Sequence, residues 1–249
     1  MVLAHGASEH SGRYAWTAEQ LTARGYAMYA LDHRGHGRSS GSRALIDRMD
    51  NAVADVRTLI GMAQSEHPEP GRPYLLGHSM GGCIALACAT RHQDAIEGLL
   101  LSAPVAVLEA ASPVTRLAGK VLSAVAPKAG VFGIDSSTVS RDPEVVRDYD
   151  ADPLNYHGKL PARTVAELSD EVGRFPSSIP GLKLPLLVMV GTGDQLVPPA
   201  ASELVYDTAA SKDKTIKRYD GLYHEILNEP EREQVAADLL AWLDSHAGR

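Results

Sequence analysis

Short apolar runs closed by turn residues alternate with stretches in which apolar positions recur every three or four residues. That alternation predicts a mostly parallel sheet with helices on both faces. The runs Val2–Ala4, Tyr26–Leu31, Tyr74–Leu76, Ile96–Leu101, Leu186–Val190 and Lys217–Tyr219 read as strands, each followed by turn formers. Between them Val53, Val56, Ile60 and Ala63 keep helical spacing, as do Val235, Leu239, Leu240 and Leu243 near the end. Those faces should pack on the sheet.

The alternation breaks between Pro104 and about Leu184. There an amphipathic series, Val114, Leu117, Ala118, Val121, Leu122 and Val125, is followed by sequence that reads as loop-rich and dotted with prolines. So long a stretch is too much for a connection between two strands of one sheet, so it is expected to form a cap over one end of the sheet. The expected organisation is therefore a core made of residues 1–103 and 185–249, with residues 104–184 inserted as the cap.

Composition narrows the function classes. At 249 residues the chain can fill one large core. Its 24 Lys and Arg against 31 Asp and Glu give a formal charge of −7, which argues against nucleic acid as a partner. The two cysteines, Cys83 and Cys88, point apart around a helical stretch and form no disulfide framework. The longest unbroken apolar run, Cys83 to Ala89, falls far short of the roughly 18 residues of a membrane span, so a cytoplasmic protein is expected. No basic start followed by an apolar segment precedes the core; the chain opens at Met1 directly into a strand, so upstream residues are expected to be missing, and a chain shortened in this way leaves the presence of a targeting segment open.

The sharpest local signal is Gly77-His78-Ser79-Met80-Gly81-Gly82, set between the strand Tyr74–Leu76 and the helical run from Gly82 to about Arg91. A G-x-S-x-G turn in that context exposes a strained serine as a nucleophile. A serine hydroxyl needs a histidine base and an acid to orient it, in chain order serine, acid, histidine. Asp194 ends the apolar strand Leu186–Val190, where ligands bind in open α/β sheets, and His224 lies just past the last strand. Asp194 also suits a helix N-cap, and His224 an exposed loop histidine. Asp220 and Glu225 are alternative acids, but they sit too close to His224 in sequence to reach its Nδ1 as well as a strand-end acid does. An oxyanion hole needs two N–H donors: Met80 supplies one and Ala7, in the turn after the first strand, is the natural second. The loop Asp32-His33-Arg34-Gly35-His36-Gly37-Arg38-Ser39 offers a nominal zinc set, but no second Cys/His cluster completes it. It reads instead as a rigid wall of the site, and no metal or other cofactor is expected.

These residues, with His5-Gly6-Ala7-Ser8-Glu9-His10-Ser11-Gly12-Arg13-Tyr14, Tyr219-Asp220-Gly221-Leu222-Tyr223-His224-Glu225 and the segment from Ser140 to Leu154, resemble the bacterial monoacylglycerol lipases of the α/β-hydrolase superfamily over nearly the whole chain. The resemblance implies an α/β-hydrolase fold and hydrolysis of a glycerol ester with one acyl chain. It implies Ser79 as nucleophile, Asp194 and His224 as its partners, and Ala7 and Met80 as oxyanion donors. It also implies a polar pocket for the glycerol head at Glu9, Arg13, His78 and Tyr149, although Glu9 and Arg13 at i,i+4 equally suit pairing with each other. Two strands that family members carry before this chain's start are absent, leaving an apolar edge beside Tyr26–Leu31 that a partner copy in a homodimer would cover. A lipase takes substrate from an aggregate, so the amphipathic series Val114–Val125 is expected to touch membrane surfaces transiently; the alternative is a face packed on the core. The competing functions are a carboxylesterase or lysophospholipase with the same three residues, and a catalytically silent binding protein.

Overall fold

The computed structural model describes residues 1–68, 71–108 and 113–247. Its main sheet contains β1 (Val2–Ala4), β2 (Tyr29–Leu31), β3 (Leu75–His78), β4 (Leu99–Ser102) and, after two short strands of a separate pair, β5 (Gly130–Phe132) and β6 (Leu160–Pro161), also β7 (Leu186–Gly191) and β8 (Lys214–Tyr219). The order is β2-β1-β3-β4-β7-β8, and each neighbouring pair is parallel. The six strands expected from the sequence all form.

The inner strands β1, β3, β4 and β7 are buried along their whole length and mostly apolar, because both of their faces are covered. Side chains alternate along each strand. Val2, Ala4, Leu75, Leu99, Leu101, Leu186 and Val188 face a cluster that takes in Val53, Val56 and Ile60 of α2 (Met49–Glu66) and Cys83 and Ile84 of α3 (Ser79–Arg91). The intervening Leu3, Leu76, Leu100, Leu187 and Met189 pack with Leu21 of α1 (Ala15–Ala23) and with Val235, Leu239 and Leu243 of a C-terminal helix at Arg232–His246. Each fully buried leucine of this kind is worth roughly 1.5–3 kcal/mol, so the strand ends are held in fixed register.

The chain leaves β1 for β2 on one side and returns to β3 on the other. That reversal opens a crevice at the carboxyl ends of β1 and β3, the place where open α/β sheets bind ligands. In register, Ala4 pairs with Gly77, His78 with Ser102 and Gly191 with Tyr219. The loops following these strands therefore converge at one edge.

Between β4 and β7 the chain forms α4 (Pro113–Val125), α5 (Pro143–Ala151), α6 (Ala162–Val172) and the antiparallel pair β5–β6; residues 109–112 of this stretch lie outside the described residues. The part after α4 is thus more regular than its prolines suggest. Pro143 sits at the first turn of α5, whose N-cap Asp142 accepts from Glu144 N, and Pro161 sits immediately before α6. Both prolines begin helices, where their missing N–H costs nothing. Helix α6 packs on α2 and α3, and Leu168, Phe175, Ile179 and Leu182 join the main core cluster. The α5 end instead lies over the loop after β1, where Tyr156 N donates to Ser8 O at 2.9 Å and His10 Nε2 meets Asp152 Oδ2 at 2.8 Å.

On α4, Val114, Leu117, Val121 and Val125 are exposed, from 54% for Val121 to 77% for Val114, and Val131 and Phe132 of β5 are exposed beside them in sequence. The amphipathic face expected to be either packed or free is free in this structure.

Candidate active site

Ser79 stands at the junction of β3 and α3 with φ of 54°, a left-handed conformation rare for a residue with a Cβ. The flanking glycines make that turn possible. A Cβ on Gly77 would lie 2.6 Å from the Ala85 Cβ, and one on Gly81 would run into the carbonyl oxygens of Ala4 and His5. Strand, helix and the loop after β1 thus meet at backbone distance, and the serine is pushed out at the strand end.

Its hydroxyl donates to His224 Nε2 at 2.8 Å, and His224 Nδ1 donates to Asp194 Oδ2 at 2.7 Å. The other carboxylate oxygen of Asp194 accepts from Leu196 N at 2.8 Å and Val197 N at 3.0 Å. One oxygen therefore fixes the loop after β7 while the second fixes the tautomer of His224, leaving a lone pair on Nε2 facing the serine. Asp194 does not cap the following helix, Ala200–Thr208, whose N-cap is Pro199. The alternative acids are engaged elsewhere: Asp220 accepts from Thr192 Oγ1 at 3.1 Å, and Glu225 is gripped by Arg13. Residues 145 and 30 positions apart along the chain are united in one relay.

Met80 is the second residue of α3, where a backbone N–H has no acceptor within the helix. Ala7 lies in the turn after β1, next to Gly6, and a Cβ on Gly6 would fall 3.3 Å from that of Ser79. This turn is braced from two sides. Gly6 N donates to Glu9 Oε1 at 2.5 Å, and His5 Nδ1 donates to Gly6 O at 2.7 Å while its Nε2 accepts from His33 N at 3.0 Å.

The loop after β2 is tied by Asp32, which accepts from Ser11 N and Oγ and from Arg38 N. His33 and His36 turn inward and pack against His5, with ring centroids 4.5 and 5.5 Å from it. Burial, aided by the neighbouring imidazoles, holds His5 well below the usual histidine range; burial likewise brings His33 down to about 3 and His36 to about 4. These are neutral packing groups. The sequence places His33 and His36 in one loop but gives no sign that His5 joins them inside the fold.

Glu9, Arg13, His78 and Tyr149 gather on one side of the relay. Arg13 Nη1 donates to Glu9 Oε2 at 3.0 Å and to Glu225 Oε1 at 2.5 Å, Nη2 donates to Glu225 Oε2 at 2.7 Å, and the guanidinium lies 4.8 Å from the Tyr149 ring. The His78 ring is 4.7 Å from that of His224, and its Nδ1 lies 3.1 Å from Ser102 O and 3.0 Å from Ser102 Oγ. Burial, with the adjacent His224, lowers His78 to about 3. The i,i+4 pairing of Glu9 with Arg13 is real, but the stronger partner, Glu225, lies 212 residues away.

A nucleophile, a base in the right tautomer and an orienting acid, beside helix-start and turn amides, can carry out acyl transfer. Comparison with known proteins points the same way. Residues 1–231 match the family model described as serine aminopeptidase, S33. The chain is 45% identical over 247 residues to a monoacylglycerol lipase of Mycolicibacterium smegmatis, covering 99% of this chain and 88% of that protein. It is 36% identical over 230 residues to the human monoglyceride lipase, covering 91% and 75%. The crystal structure of a Paleococcus ferrophilus monoacylglycerol lipase superposes with a TM-score of 0.89 at 32% identity, covering 99% of this chain and 94% of that one.

Proposed function

The chain belongs to the monoacylglycerol lipase family of α/β-hydrolases, and from that membership we propose that it cleaves monoacylglycerols to glycerol and a fatty acid through an acyl-Ser79 intermediate. The observation that carries this reading is the unbroken relay from Ser79 Oγ through His224 to Asp194, at 2.8 and 2.7 Å.

Ser79 Oγ attacks the acyl carbonyl carbon while His224 Nε2 takes its proton, and the carbonyl oxygen gathers negative charge between the N–H groups of Ala7 and Met80. As the tetrahedral adduct collapses, the C–O bond to glycerol breaks and His224 returns the proton to the departing oxygen. A water then enters, loses a proton to His224 and attacks the acyl-serine carbonyl, freeing the fatty acid and Ser79. Asp194 stabilises the imidazolium formed in each half. His78 and Tyr149, backed by the Glu9–Arg13 pair, form the polar wall on which the glycerol head rests. Residues 104–184 act as the cap, and the exposed stripe Val114, Leu117, Val121 and Val125 supports transient contact with a lipid surface. Among the described residues no helix is long and apolar enough to cross a membrane.

The test is product analysis. Incubation with a monoacylglycerol should release glycerol and fatty acid in equal amounts, faster than the matching lysophospholipid or methyl ester is hydrolysed and faster than amino-acid amides are cleaved. A preference for the lysophospholipid, the methyl ester or an amide would replace this reading with that activity on the same relay.

A further inference from the structure

Arg13 ties the stretch of chain after β1 to a loop 212 residues away. It lies in the short helical turn Ser11–Tyr14, grips Glu225 next to His224, and reaches Glu9, whose second oxygen receives the Gly6 N–H at 2.5 Å and the Tyr14 hydroxyl at 2.8 Å. We propose that Arg13 is a positioning residue for the reaction: through its two carboxylate partners it holds the turn carrying the Ala7 amide and the loop carrying His224 in mutual register. The proposal deepens the lipase reading, since it assigns a further role at the same site.

All three charged groups are nearly excluded from water, with side chains 10%, 3% and 7% exposed for Arg13, Glu9 and Glu225. A buried guanidinium stays only where it is paired, and here three of its five N–H groups are spent on carboxylates while Tyr149 covers a face. Little of Arg13 is left to bind a substrate hydroxyl. The bidentate fork to Glu225 fixes an angle as well as a distance. Glu225 is further anchored, its N–H donating to Val139 O at 2.8 Å and its Oε2 accepting from Asn228 Nδ2 at 2.9 Å. Burial alone would raise Glu225, but the Arg13 charge overcomes it and holds the carboxyl near 2, whereas Glu9 is raised by burial against the pull of Arg13. The clamp is thus an Arg13–Glu225 ion pair with Glu9 as its arm toward the oxyanion turn.

The experiment uses p-nitrophenyl butyrate, which lacks a glycerol head, beside a monoacylglycerol. For Arg13→Met, kcat on the nitrophenyl ester should fall about 30- to 100-fold with KM within about threefold, the scale expected when reacting groups lose alignment by about an ångström. Arg13→Lys should recover part of that kcat, because an ammonium restores the charge without the fork. Glu225→Gln, assayed well below its own unfolding temperature, should lower kcat about fivefold or more on both esters, and it decides the matter if Arg13→Met does not fold. Wild-type kcat on the nitrophenyl ester in Arg13→Met, with KM raised for monoacylglycerol alone, would make Arg13 a head-group contact and overturn the proposal. Wild-type kcat in Glu225→Gln would overturn it equally. A wild-type enzyme that hydrolyses the nitrophenyl ester but not monoacylglycerol would instead count against the lipase reading and leave the clamp standing.

Discussion

Replacing Asp194 by Asn tests the relay without disturbing the fold around it. The oxygen that accepts from Leu196 N and Val197 N at 2.8 and 3.0 Å is retained in the amide, so the Asn side chain is held in the same place. Its NH2 group then occupies the position 2.7 Å from His224 Nδ1 that the carboxylate oxygen held. An amide N–H facing Nδ1 demands a lone pair there, which moves the imidazole proton to Nε2, directly against the Ser79 hydroxyl at 2.8 Å. In that tautomer His224 cannot take the serine proton. Restoring the productive tautomer opposes two donors, and the imidazolium loses its counter-charge; together these cost on the order of 4–5 kcal/mol, or a fall in kcat of about 10³- to 10⁴-fold. KM should change little, since Asp194 touches no substrate. Glycerol release gives kcat and KM, and thermal unfolding checks that Tm matches the wild type. A variant of native Tm whose kcat lies within tenfold of wild type would show that Asp194 does not orient the base.

Stability should fall on the acid side through the buried histidines. Burial first, and for His33 and His78 a neighbouring imidazole second, lowers these groups, His33 and His78 to about 3 and His36 to about 4; unfolded imidazoles, near 6.5, therefore bind protons that the folded ones refuse, and stability present above about pH 6.5 is lost as pH falls toward 4. Tm measured from pH 7.5 down to 5 should drop steadily, and a flat profile would contradict the neutral cluster. Gly81→Ala forces a methyl group into the Ala4 and His5 carbonyl oxygens; a cost of about 3 kcal/mol lowers Tm by roughly 6–12 °C, and calorimetry showing no loss would refute the close approach. Leu117→Asp, on a side chain 65% exposed, should reduce turnover of vesicle-borne monoacylglycerol about tenfold while leaving dispersed short-chain ester untouched, as loss of a leucine's insertion into lipid requires. Equal effects on both substrates would remove the lipid-contact role.

The fold was legible wherever burial on both sheet faces wrote a continuous apolar run. It was less so at the edges. Strand β8 begins at Lys214 rather than at Lys217, because an edge strand carries long cationic side chains whose stems pack while their heads reach water. The β5–β6 pair left no signal: Gly130–Phe132 is exposed and its partner contains Pro161, so contact with the rest of the chain, not propensity, makes them strands. Strand β4 starts at Leu99 although Ile96 is buried, since Gly98 is where the backbone passes tightly beside Tyr74 and Trp242. At the site, Ser79, Asp194 and His224 could be read from local motifs because each needs a particular turn at a strand end. The Arg13–Glu225 grip and the inward packing of His33 and His36 could not, because they depend on which loops meet in space.

The central claim is that acyl transfer passes through Ser79. Mixing enzyme with a monoacylglycerol, quenching in acid within one turnover and weighing the proteolytic peptides tests it most directly. The account predicts that the peptide bearing Ser79 carries the mass of one acyl group in place of a hydrogen, and that Ser79→Ala shows no adduct and loses about 10⁴-fold or more in turnover. Fatty acid released at an undiminished rate by Ser79→Ala, with no acylated peptide in the wild type, would contradict it.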